Sequence, residues 1–311
     1  MTPGKSAPHD RVVVTLATYR RPEMLARTLN SLSEQDYGGP FHVVVVDNDA
    51  DATGRSVANG TDLDLRYVIE PVPGIASARN RCVSEAMRYR PDWIVFIDDD
   101  EWAEPTWLSE LTSAVHANPV DGCQGWVGTE YAPGGPSWVR ELGFHERARP
   151  MAGLPLRFAG TGNLIVRASL LTGAGPPFDI KLGLTGGEDT AMTARLVLAG
   201  AAIVTAPDAI VTETIPLDRQ NLDWMRHRAR RGTAGWADIE RTIFRTPFWR
   251  TRQTAACLRD VAVGVGFVLL GFALSDYVRS VRGRIEFSKA KGSLLGLSGR
   301  QVEEYARRST E

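Results

Sequence analysis

The feature that most constrains this chain is the alternation of short apolar runs with amphipathic segments along its first half. Short runs rich in valine and isoleucine predict buried strands, and apolar residues at helical spacing between them predict helices. The predicted strands are 12–18, 41–47, 65–70 and 93–97, and the predicted helices begin at Pro22 and span 74–88 and 105–117. This alternation favours an α/β fold: a doubly wound, mostly parallel sheet with helices on both faces.

The order of elements becomes less regular after residue 121. Further strands are predicted at 124–131 and 161–167, a loop region rich in proline and glycine at 134–156, a helix at 188–198, and two short strands at 201–206 and 209–214. From Leu217 the sequence turns helical and basic. We therefore predict a flexible N-terminus over 1–10, a catalytic domain over 11–217 and a basic helical C-terminal region over 218–311.

The charges are distributed unevenly along the chain. Residues 1–218 hold 18 Lys and Arg against 28 Asp and Glu, whereas residues 219–311 hold 18 against 9. A basic tail attracts phosphates on nucleotides or lipid headgroups. Its longest apolar run, 261–275, has 15 residues, fewer than the roughly 20 that span a bilayer. This run predicts a helix on a membrane surface or, alternatively, a buried helix that caps the catalytic domain or forms a dimer contact. A membrane-spanning helix is the less favoured third alternative.

The cysteines and the N-terminus bear on the cellular compartment. Cys82, Cys123 and Cys257 form no CxxC pair, and an odd number argues against a disulfide framework. The first ten residues contain no apolar leader segment. We therefore expect a cytoplasmic protein, peripheral on the inner face of the plasma membrane if its tail contacts lipid.

Polar residues follow the ends of the predicted strands. Thr18 and Tyr19 follow the first strand, Asp47 and Asp49 the second, and three aspartates at 98–100 the fourth. Ligands of a parallel sheet bind beyond the carboxyl ends of its strands, so these residues should converge there. The sequence therefore predicts a functional site at this edge of the sheet.

The segment FIDDDEW contains the strongest chemical signal. Asp98, Asp99 and Asp100 are adjacent carboxylates that repel one another, and a divalent cation would relieve the repulsion. In an extended segment Asp98 and Asp100 face the same side, and their oxygen atoms suit Mg²⁺ or Mn²⁺. The alternative is a solvated acidic turn before the next helix.

Five further segments accompany this one in a fixed order. They are TLATYRRPEML, VVVVDNDAD, GIASARNRCV, TGNLIVR and GGEDTAMTARLVLAG. Together with FIDDDEWAEPTWL they resemble the family 2 glycosyltransferases, which have the GT-A fold, and most of all the exopolysaccharide (succinoglycan-type) branch. The resemblance covers about residues 11–215 and implies a GT-A domain with a DxD segment at Asp98 and Asp100.

The resemblance implies a role in donor binding for residues at the strand ends, in the acidic and GIASARN segments, and in a later basic segment. The implied donor-binding residues are Thr18, Tyr19, Arg20, Asp47, Asp49, Arg79, Asn80, Asp98, Asp99, His227 and Arg228. Purely structural roles remain as alternatives for several of these residues. Asp47 and Asp49 also fit an Asx turn. Arg79 also fits an exposed helix pair with Glu85 or Asp49, and the segment 224–232 a solvated basic helix face.

The resemblance also points to Asp189 as the general base, with Glu188 as its neighbour on the acceptor side. On charge alone, both carboxylates are explained by the helix dipole. A carboxylate can take the proton of a sugar hydroxyl while the hydroxyl attacks. Trp138 and Asn163 are expected on the acceptor side. Trp138 would stack on a sugar ring, although core packing is the more common role of tryptophan.

The predicted activity is that of a hexosyltransferase. The resemblance implies inversion at the anomeric carbon, and a Mn²⁺ or Mg²⁺ ion would stabilise the departing nucleoside diphosphate. We expect a UDP-sugar donor, with UDP-glucose suggested by the branch, and a saccharide or lipid-linked saccharide acceptor in exopolysaccharide or cell-envelope glycan synthesis.

Two other functions are kept as alternatives. A sugar nucleotidyltransferase would need a glycine-rich phosphate loop after the first strand, and TLATYRRPEM has none. A non-catalytic carbohydrate-binding protein would not need Asp98, Asp100 and Asp189 together. Nucleic acid is not an expected partner, because the basic tail has neither an aromatic platform nor a zinc pattern.

Overall fold

Four parallel strands form one half of the central sheet, as the apolar runs predict. In this computed structural model, which describes residues 10–117, 119–173, 175–183, 185–300 and 302, they are β1 (Val12–Thr18), β2 (Phe41–Asp47), β3 (Leu65–Ile69) and β4 (Trp93–Phe96). β1 pairs in parallel with β2 and β4, and β2 pairs in parallel with β3. The predicted flexible N-terminus lies, apart from Asp10, outside the described residues.

Helices cover both faces of this parallel half. They are α1 (Pro22–Ser33), α2 (Arg55–Asn59), α3 (Ile75–Ala86) and α4 (Trp107–Ala117). Alternate residues of β1 point to opposite faces of the sheet. Val12, Val14 and Leu16 join a core cluster with leucines of α1 and α4, whereas Val13 joins a second cluster with residues of α3. The predicted doubly wound α/β architecture is confirmed.

The other half of the sheet contains antiparallel pairs. Its strands are β5 (Glu101–Ala103), β6 (Gly122–Tyr131), β7 (Leu164–Arg167) and β8 (Ile203–Ile215), and the full order is β3-β2-β1-β4-β7-β6-β8-β5. β7 pairs antiparallel with β4 and with β6, and β5 pairs antiparallel with β8. Two further helices lie between β6 and β8 in the chain, α5 (Ser137–Leu142) and α6 (Glu188–Leu198).

Three of these elements differ from the sequence-based expectation. β5 is only three residues long, too short to produce a periodic signal. β8 is one strand rather than two, and its backbone stays extended through Pro207 and Asp208. The side chain of Asp208 accepts a hydrogen bond from Arg149. α5 lies within the predicted loop region and ends at Gly143, whose φ of +64° favours glycine.

The chain divides into two compact units. The first consists of Met1–Gly128, Arg147–Gly183 and Glu188–Glu213, and the second of Thr129–Glu146, Leu184–Gly187 and Thr214–Glu311. The last segment of the second unit begins at Thr214, close to the predicted boundary, although this unit also includes two earlier segments. The assignment of catalysis to 11–217 stays a prediction.

The second unit is built largely from α7 (Leu222–Thr242), α8 (Trp249–Ala273) and α9 (Tyr277–Leu297). Asn221 and Asp276 cap α7 and α9, and each side chain accepts a hydrogen bond from a backbone N–H in the first turn of its helix. Its apolar cluster of buried residues consists of Val139, Leu142, Met225, Ala229, Val281 and Ile285. The predicted helical C-terminal region is therefore confirmed.

α8 is longer than the apolar run that predicts it. The helix has 25 residues, and the run 261–275 covers only its C-terminal part and the turn that follows. Within the described part of the chain it is the one helix long and apolar enough, by length and composition, to cross a membrane. The mean hydropathy of its most apolar window is 1.8, and only 22% of that window is buried.

Candidate active site

The end of β2 carries Asp47, which is fully buried. Asp47 accepts hydrogen bonds from the backbone N–H of Asp49 (3.0 Å) and Gly54 (2.9 Å) and from the Tyr67 hydroxyl (2.5 Å). Burial and the neighbouring Asp47 raise the pKa of Tyr67, so this hydroxyl remains a donor. Asp47 therefore holds the 48–54 loop in place, in the manner of the Asx-turn alternative.

Asp49 retains an acceptor atom for a ligand. Its Oδ1 lies 3.2 Å from Arg20 Nε, while its buried Oδ2 has no hydrogen-bond partner among the described residues. A buried carboxylate oxygen without a partner is unfavourable, so this atom suits a hydrogen-bond donor on a ligand. The guanidinium of Arg20 lies 5.3 Å from the ring centre of Tyr19. Tyr19, Arg20 and Asp49 therefore lie together at the ends of β1 and β2.

The acidic turn between β4 and β5 is anchored to β1 and α1. Asp99 is buried and accepts hydrogen bonds from Thr18 Oγ1 (2.8 Å) and Arg21 Nη1 (3.1 Å), and the same arginine atom lies 3.1 Å from Asp100 Oδ2. Burial raises the pKa of Asp99 to about 6, since the nearby Asp100 adds to the effect and Arg21 only partly opposes it. Arg21 is absent from the predicted site, and its place in TYRRP is the signal that could have identified it.

Asp98 is the most exposed member of this turn, with 39% of its side chain accessible. Its backbone N–H donates to Glu101 Oε2 at 3.1 Å. Glu101 is buried on β5, and burial together with the charge of Asp98 raises its pKa well above the ordinary value. The side chain of Asp98 is therefore accessible to a ligand, whereas Glu101 supports the turn from below.

Arg79 on α3 connects the acidic turn with the start of α6. The side chain is buried, its Nη2 lies 2.8 Å from Asp98 Oδ1, and its Nη1 pairs with Glu188. Burial alone would lower the pKa of Arg79, but attraction to these carboxylates raises it. The alternative of an exposed pair with Glu85 or Asp49 is wrong, because both of those carboxylates pair with other arginines.

Asn80, the neighbour of Arg79, has both ends of its amide engaged. Its Nδ2 donates to Phe178 O at 2.8 Å, and its Oδ1 accepts from Phe178 N at 2.9 Å. The structure thus places Asn80 as a clamp on the segment around Phe178. A contact of its side chain with the donor sugar stays a prediction.

Glu188 begins α6 and is almost fully buried. The two residues before it, Gly186 and Gly187, have φ of +78° and +87°, a conformation that favours glycine. Burial outweighs the attraction of Arg79 and raises the pKa of Glu188 to about 7. Its Oε2 has no hydrogen-bond partner in the part of the chain that the structure describes.

Asp189 is half-buried and belongs to the same cluster. Its Oδ1 accepts hydrogen bonds from the backbone N–H (2.6 Å) and the hydroxyl (3.2 Å) of Thr190. Gly160 leaves space beside the other oxygen, since a Cβ there would lie 3.4 Å from Asp189 Oδ2. The charge of Asp189 also acts on Arg79. The predicted base and the acidic turn therefore meet around one arginine.

The carboxyl groups outnumber the cations in this region of the first unit. The six acidic residues are Asp98, Asp99, Asp100, Glu101, Glu188 and Asp189, and the two arginines are Arg21 and Arg79. Within the described residues, no three His, Cys, Asp or Glu side chains converge as a ready metal-binding group. The excess negative charge and the oxygen-only donor set nevertheless fit a hard divalent cation, with Asp98 and Asp100 as the residues to hold it.

Asn163 is not an acceptor-side residue in this structure, so that expectation is corrected. The side chain is fully buried, its Oδ1 accepts from Trp107 Nε1 (2.7 Å), and its Nδ2 donates to the carbonyls of Trp126 (2.9 Å) and Ala209 (2.8 Å). Its φ of +61° is a conformation that asparagine tolerates better than most residues. Asn163 therefore joins strands inside the sheet.

Trp138, the other predicted acceptor-side residue, lies in the second unit. Its ring packs edge-on against Tyr277, with ring centres 5.8 Å apart, and contacts the apolar cluster of that unit. This is the packing alternative for a tryptophan. A role in acceptor binding stays a prediction.

The basic segment lies on α7, also in the second unit. His227 Nδ1 lies 3.2 Å from Arg230 Nη2, and Arg228 is exposed. On the same helix, buried Arg231 donates to Thr185 O at 3.2 Å. Contact of His227 or Arg228 with the donor stays a prediction.

The fold and the site together define a class of protein. The parallel half of the sheet ends in an aspartate with an unpaired acceptor atom and in an acidic turn, and a helix that begins with two carboxylates lies beside the turn. This is the arrangement of a GT-A-like glycosyltransferase. The mannosyltransferase PcManGT from Pyrobaculum calidifontis, in complex with GDP-Man and Mn²⁺, shares the fold with a TM-score of 0.61 and 21% identity over 94% of this chain and 89% of its own. S. aureus TarS 1–349 in complex with UDP shares it with a TM-score of 0.51 and 17% identity, over 93% and 92%. The predicted GT-A fold is confirmed.

Sequence relatives identify the family. The family model described as glycosyl transferase family 2 matches residues 13–172, and that described as glycosyl transferase family group 2 matches 93–288. The succinoglycan biosynthesis protein ExoM of Rhizobium meliloti (strain 1021) is 33% identical over 221 residues, which cover 69% of this chain and 70% of ExoM. The chain therefore belongs to glycosyltransferase family 2 and is a glycosyltransferase, as the motifs predict.

Proposed function

We propose that this chain is an inverting, cation-dependent glycosyltransferase that moves a hexose from a UDP-sugar to a saccharide or lipid-linked saccharide in exopolysaccharide or cell-envelope glycan synthesis. The observation that carries the proposal is the contact of Arg79 with both Asp98 and Glu188, which brings the acidic turn to the base-bearing helix. The similarity to ExoM supports the polysaccharide class. The TarS structures with UDP and UDP-GlcNAc support a UDP-sugar donor, and PcManGT with GDP-Man and Mn²⁺ supports a cation.

The donor end of the site is assigned to the ends of β1 and β2. Asp49 Oδ2 is the acceptor for an N–H or O–H of the base or ribose, and Asp47 orders the loop that carries Asp49. Asp98 and Asp100 would hold the cation, which when bound supplies positive charge next to the departing diphosphate. Arg79 keeps Asp98 fixed and limits the repulsion within the acidic cluster.

The transfer itself is assigned to Asp189. Its carboxylate accepts the proton of the acceptor hydroxyl while the hydroxyl oxygen bonds to the anomeric carbon. The bond from that carbon to the diphosphate oxygen breaks on the opposite face, and its electron pair leaves with the nucleoside diphosphate. This single displacement inverts the anomeric configuration and needs no nucleophilic carboxylate. Glu188, bonded to Arg79, positions the first turn of α6.

The lipid-linked form of the acceptor would place the enzyme at the inner face of the plasma membrane. The basic charge of residues 219–311 and the apolar face of α8 support contact of this region with lipid. The C-terminal region would then bring the catalytic unit to its acceptor.

Asp189→Asn tests the proposal, because asparagine keeps the shape of the side chain and cannot accept the proton. We expect turnover of UDP-sugar to fall by about 10²–10⁴-fold while calorimetric binding of the UDP-sugar with Mn²⁺ is retained. Native turnover should also stop when a chelator is added. Asp208→Asn, at an exposed aspartate of β8, is the matched control and should keep native turnover. Near-native activity of Asp189→Asn, or cation-independent turnover, would contradict the mechanism.

A further inference from the structure

α8 has an inverted distribution of polar and apolar residues. Its buried residues are polar or small, namely Gln253, Cys257, Asp260, Gly264 and Gly271. Most of its large apolar residues are exposed, and they include an apolar stripe made of Leu258, Val261, Val265, Leu269 and Phe272. The exposed fractions in this stripe range from 40% at Val261 to 86% at Phe272. Spacings of three and four residues place the stripe along one side of the helix, whereas a helix in water buries such a side.

The buried side of α8 packs closely against α9 at its glycines, with the side chain of Val268 also in the contact. A Cβ at Gly283 would lie 2.7 Å from Gly264 O, and a Cβ at Gly271 would lie 2.4 Å from Ser280 Oγ. Close backbone approach at small residues is the packing mode of helices in lipid, where large apolar residues face outward. The packing of α8 against α9 therefore does not depend on burial of the apolar stripe.

The charges of α8 and α9 complement an anionic surface. Residues 249–297 contain eight Lys and Arg and three acidic residues. The acidic residues Asp260, Asp276 and Glu286 are buried or half-buried. Seven of the basic residues are exposed, namely Arg250, Arg252, Arg259, Arg279, Arg282, Arg284 and Lys291. Exposed cations on the same two helices as an exposed apolar stripe match the two layers of an anionic leaflet, its phosphates and its acyl chains.

We propose that α8 lies in the interface of an anionic phospholipid bilayer, with the apolar stripe in contact with acyl chains and exposed arginines of α8 and α9 in contact with lipid phosphates. The uncharged helical stretch 261–273 extends for about 20 Å, less than the ~30 Å hydrocarbon core, which favours a helix on the surface over one that spans. A second copy of the chain fits less well, since a symmetric contact through this face would bring the same cations together. The inference deepens the proposed function and rests on it only for the lipid-linked nature of the acceptor.

Flotation of the full chain with vesicles tests this inference. We expect binding to vesicles of phosphatidylcholine with phosphatidylglycerol, and much weaker binding to phosphatidylcholine alone or at high salt. Phe272→Glu should lower the partition coefficient by at least about tenfold. Leu269→Ser provides a second, milder variant of the stripe. Met151→Glu, which changes an exposed apolar residue of the first unit, is the matched control and should bind as the native chain does.

Each result decides between occupants of the stripe. Equal binding of Phe272→Glu and the native chain, or no binding of the native chain to anionic vesicles, would overturn the proposal. Resistance of the bound chain to alkaline carbonate would point to a spanning helix instead, and dimerisation without lipid that Phe272→Glu abolishes would point to a second copy. Turnover with a soluble saccharide acceptor should be unchanged in Phe272→Glu, so a failure of vesicle binding is distinguishable from a failure of the proposed catalysis.

Discussion

In the first unit six carboxyl groups gather around Arg21 and Arg79, whereas in the second unit α8 turns the apolar stripe to solvent. Both regions depart from the usual distribution, in which charges are exposed and large apolar residues are buried. A buried charge is unfavourable unless it is paired, and an exposed apolar stripe is unfavourable unless something covers it. The two departures therefore mark the regions that are organised for ligands rather than for folding alone.

The two regions differ in how the departure is offset. The acidic cluster is partly neutralised from within, because Arg79 and Arg21 each contact two of its members. The exposed cations of α8 and α9 do not offset the exposure of the apolar stripe in this way, because they cannot cover apolar surface. The acidic cluster therefore keeps an excess of negative charge that fits a cation, whereas within the described residues no side chain covers the apolar stripe.

Arg79→Ala should have the largest effect on stability, because it removes an internal cation of the acidic cluster. It leaves Glu188 buried without its cation and Asp98 without its partner, so we expect the free energy of unfolding to fall by about 3–5 kcal/mol. Urea unfolding of the full chain, followed by fluorescence, measures the change.

Arg88→Ala is the matched control for this variant. Arg88 is exposed, and its partner Glu85 keeps Arg66 and Arg81 when Arg88 is removed. The loss should stay below about 1 kcal/mol. If the two alanine variants lose equal stability, Arg79 does not act as the internal cation of the acidic cluster.

Glu188→Gln should have a smaller effect on the free energy of unfolding, and this effect should depend on pH. Because burial raises the pKa of Glu188 from 4.5 to about 7, the folded state favours the protonated acid. The stability that this proton binding contributes is fully present below pH 4.5 and is lost as the pH rises through about 7. Glutamine does not titrate, so the stability of the variant relative to the native chain should rise over this range by up to about 3 kcal/mol.

Unfolding curves at several pH values measure this difference. Glu34→Gln, at an exposed glutamate of the first unit, controls for the general loss of a charge. A pH-independent difference between Glu188→Gln and the native chain would show that Arg79 fully offsets the burial of this carboxylate.

The fold was largely predictable where local pattern determines structure. The valine-rich runs predict β1 and β2 with the observed bounds, because a strand buried on both faces is a continuous apolar run. The antiparallel half was less predictable. Pro207 and Asp208 suggest a break, but β8 runs through both of them as one strand.

The candidate site was predictable as a list of residue types but not as a set of contacts. Asp98 and Glu188 are 90 positions apart in the chain, and no local pattern shows that Arg79 joins them. The motif places Asn163 on the acceptor side, yet its amide forms hydrogen bonds within the sheet. Hydrogen bonds between distant segments decide such roles, and local sequence patterns do not show which distant segments meet.

Gly283→Ala has the smallest expected effect and tests how closely α8 and α9 pack in the second unit. A Cβ there would lie 2.7 Å from both Gly264 O and Val268 Cγ2, so α8 and α9 must separate, and we expect a loss of about 1–3 kcal/mol in urea unfolding. Gly266→Ala is the matched control, since nothing lies within 4 Å of its added Cβ and alanine favours a helix by up to about 1 kcal/mol. Opposite signs for the two variants would mean that close backbone packing stabilises the pair of helices and leaves the apolar stripe available to lipid. Stabilisation of both variants would contradict close backbone packing between the two helices at Gly283.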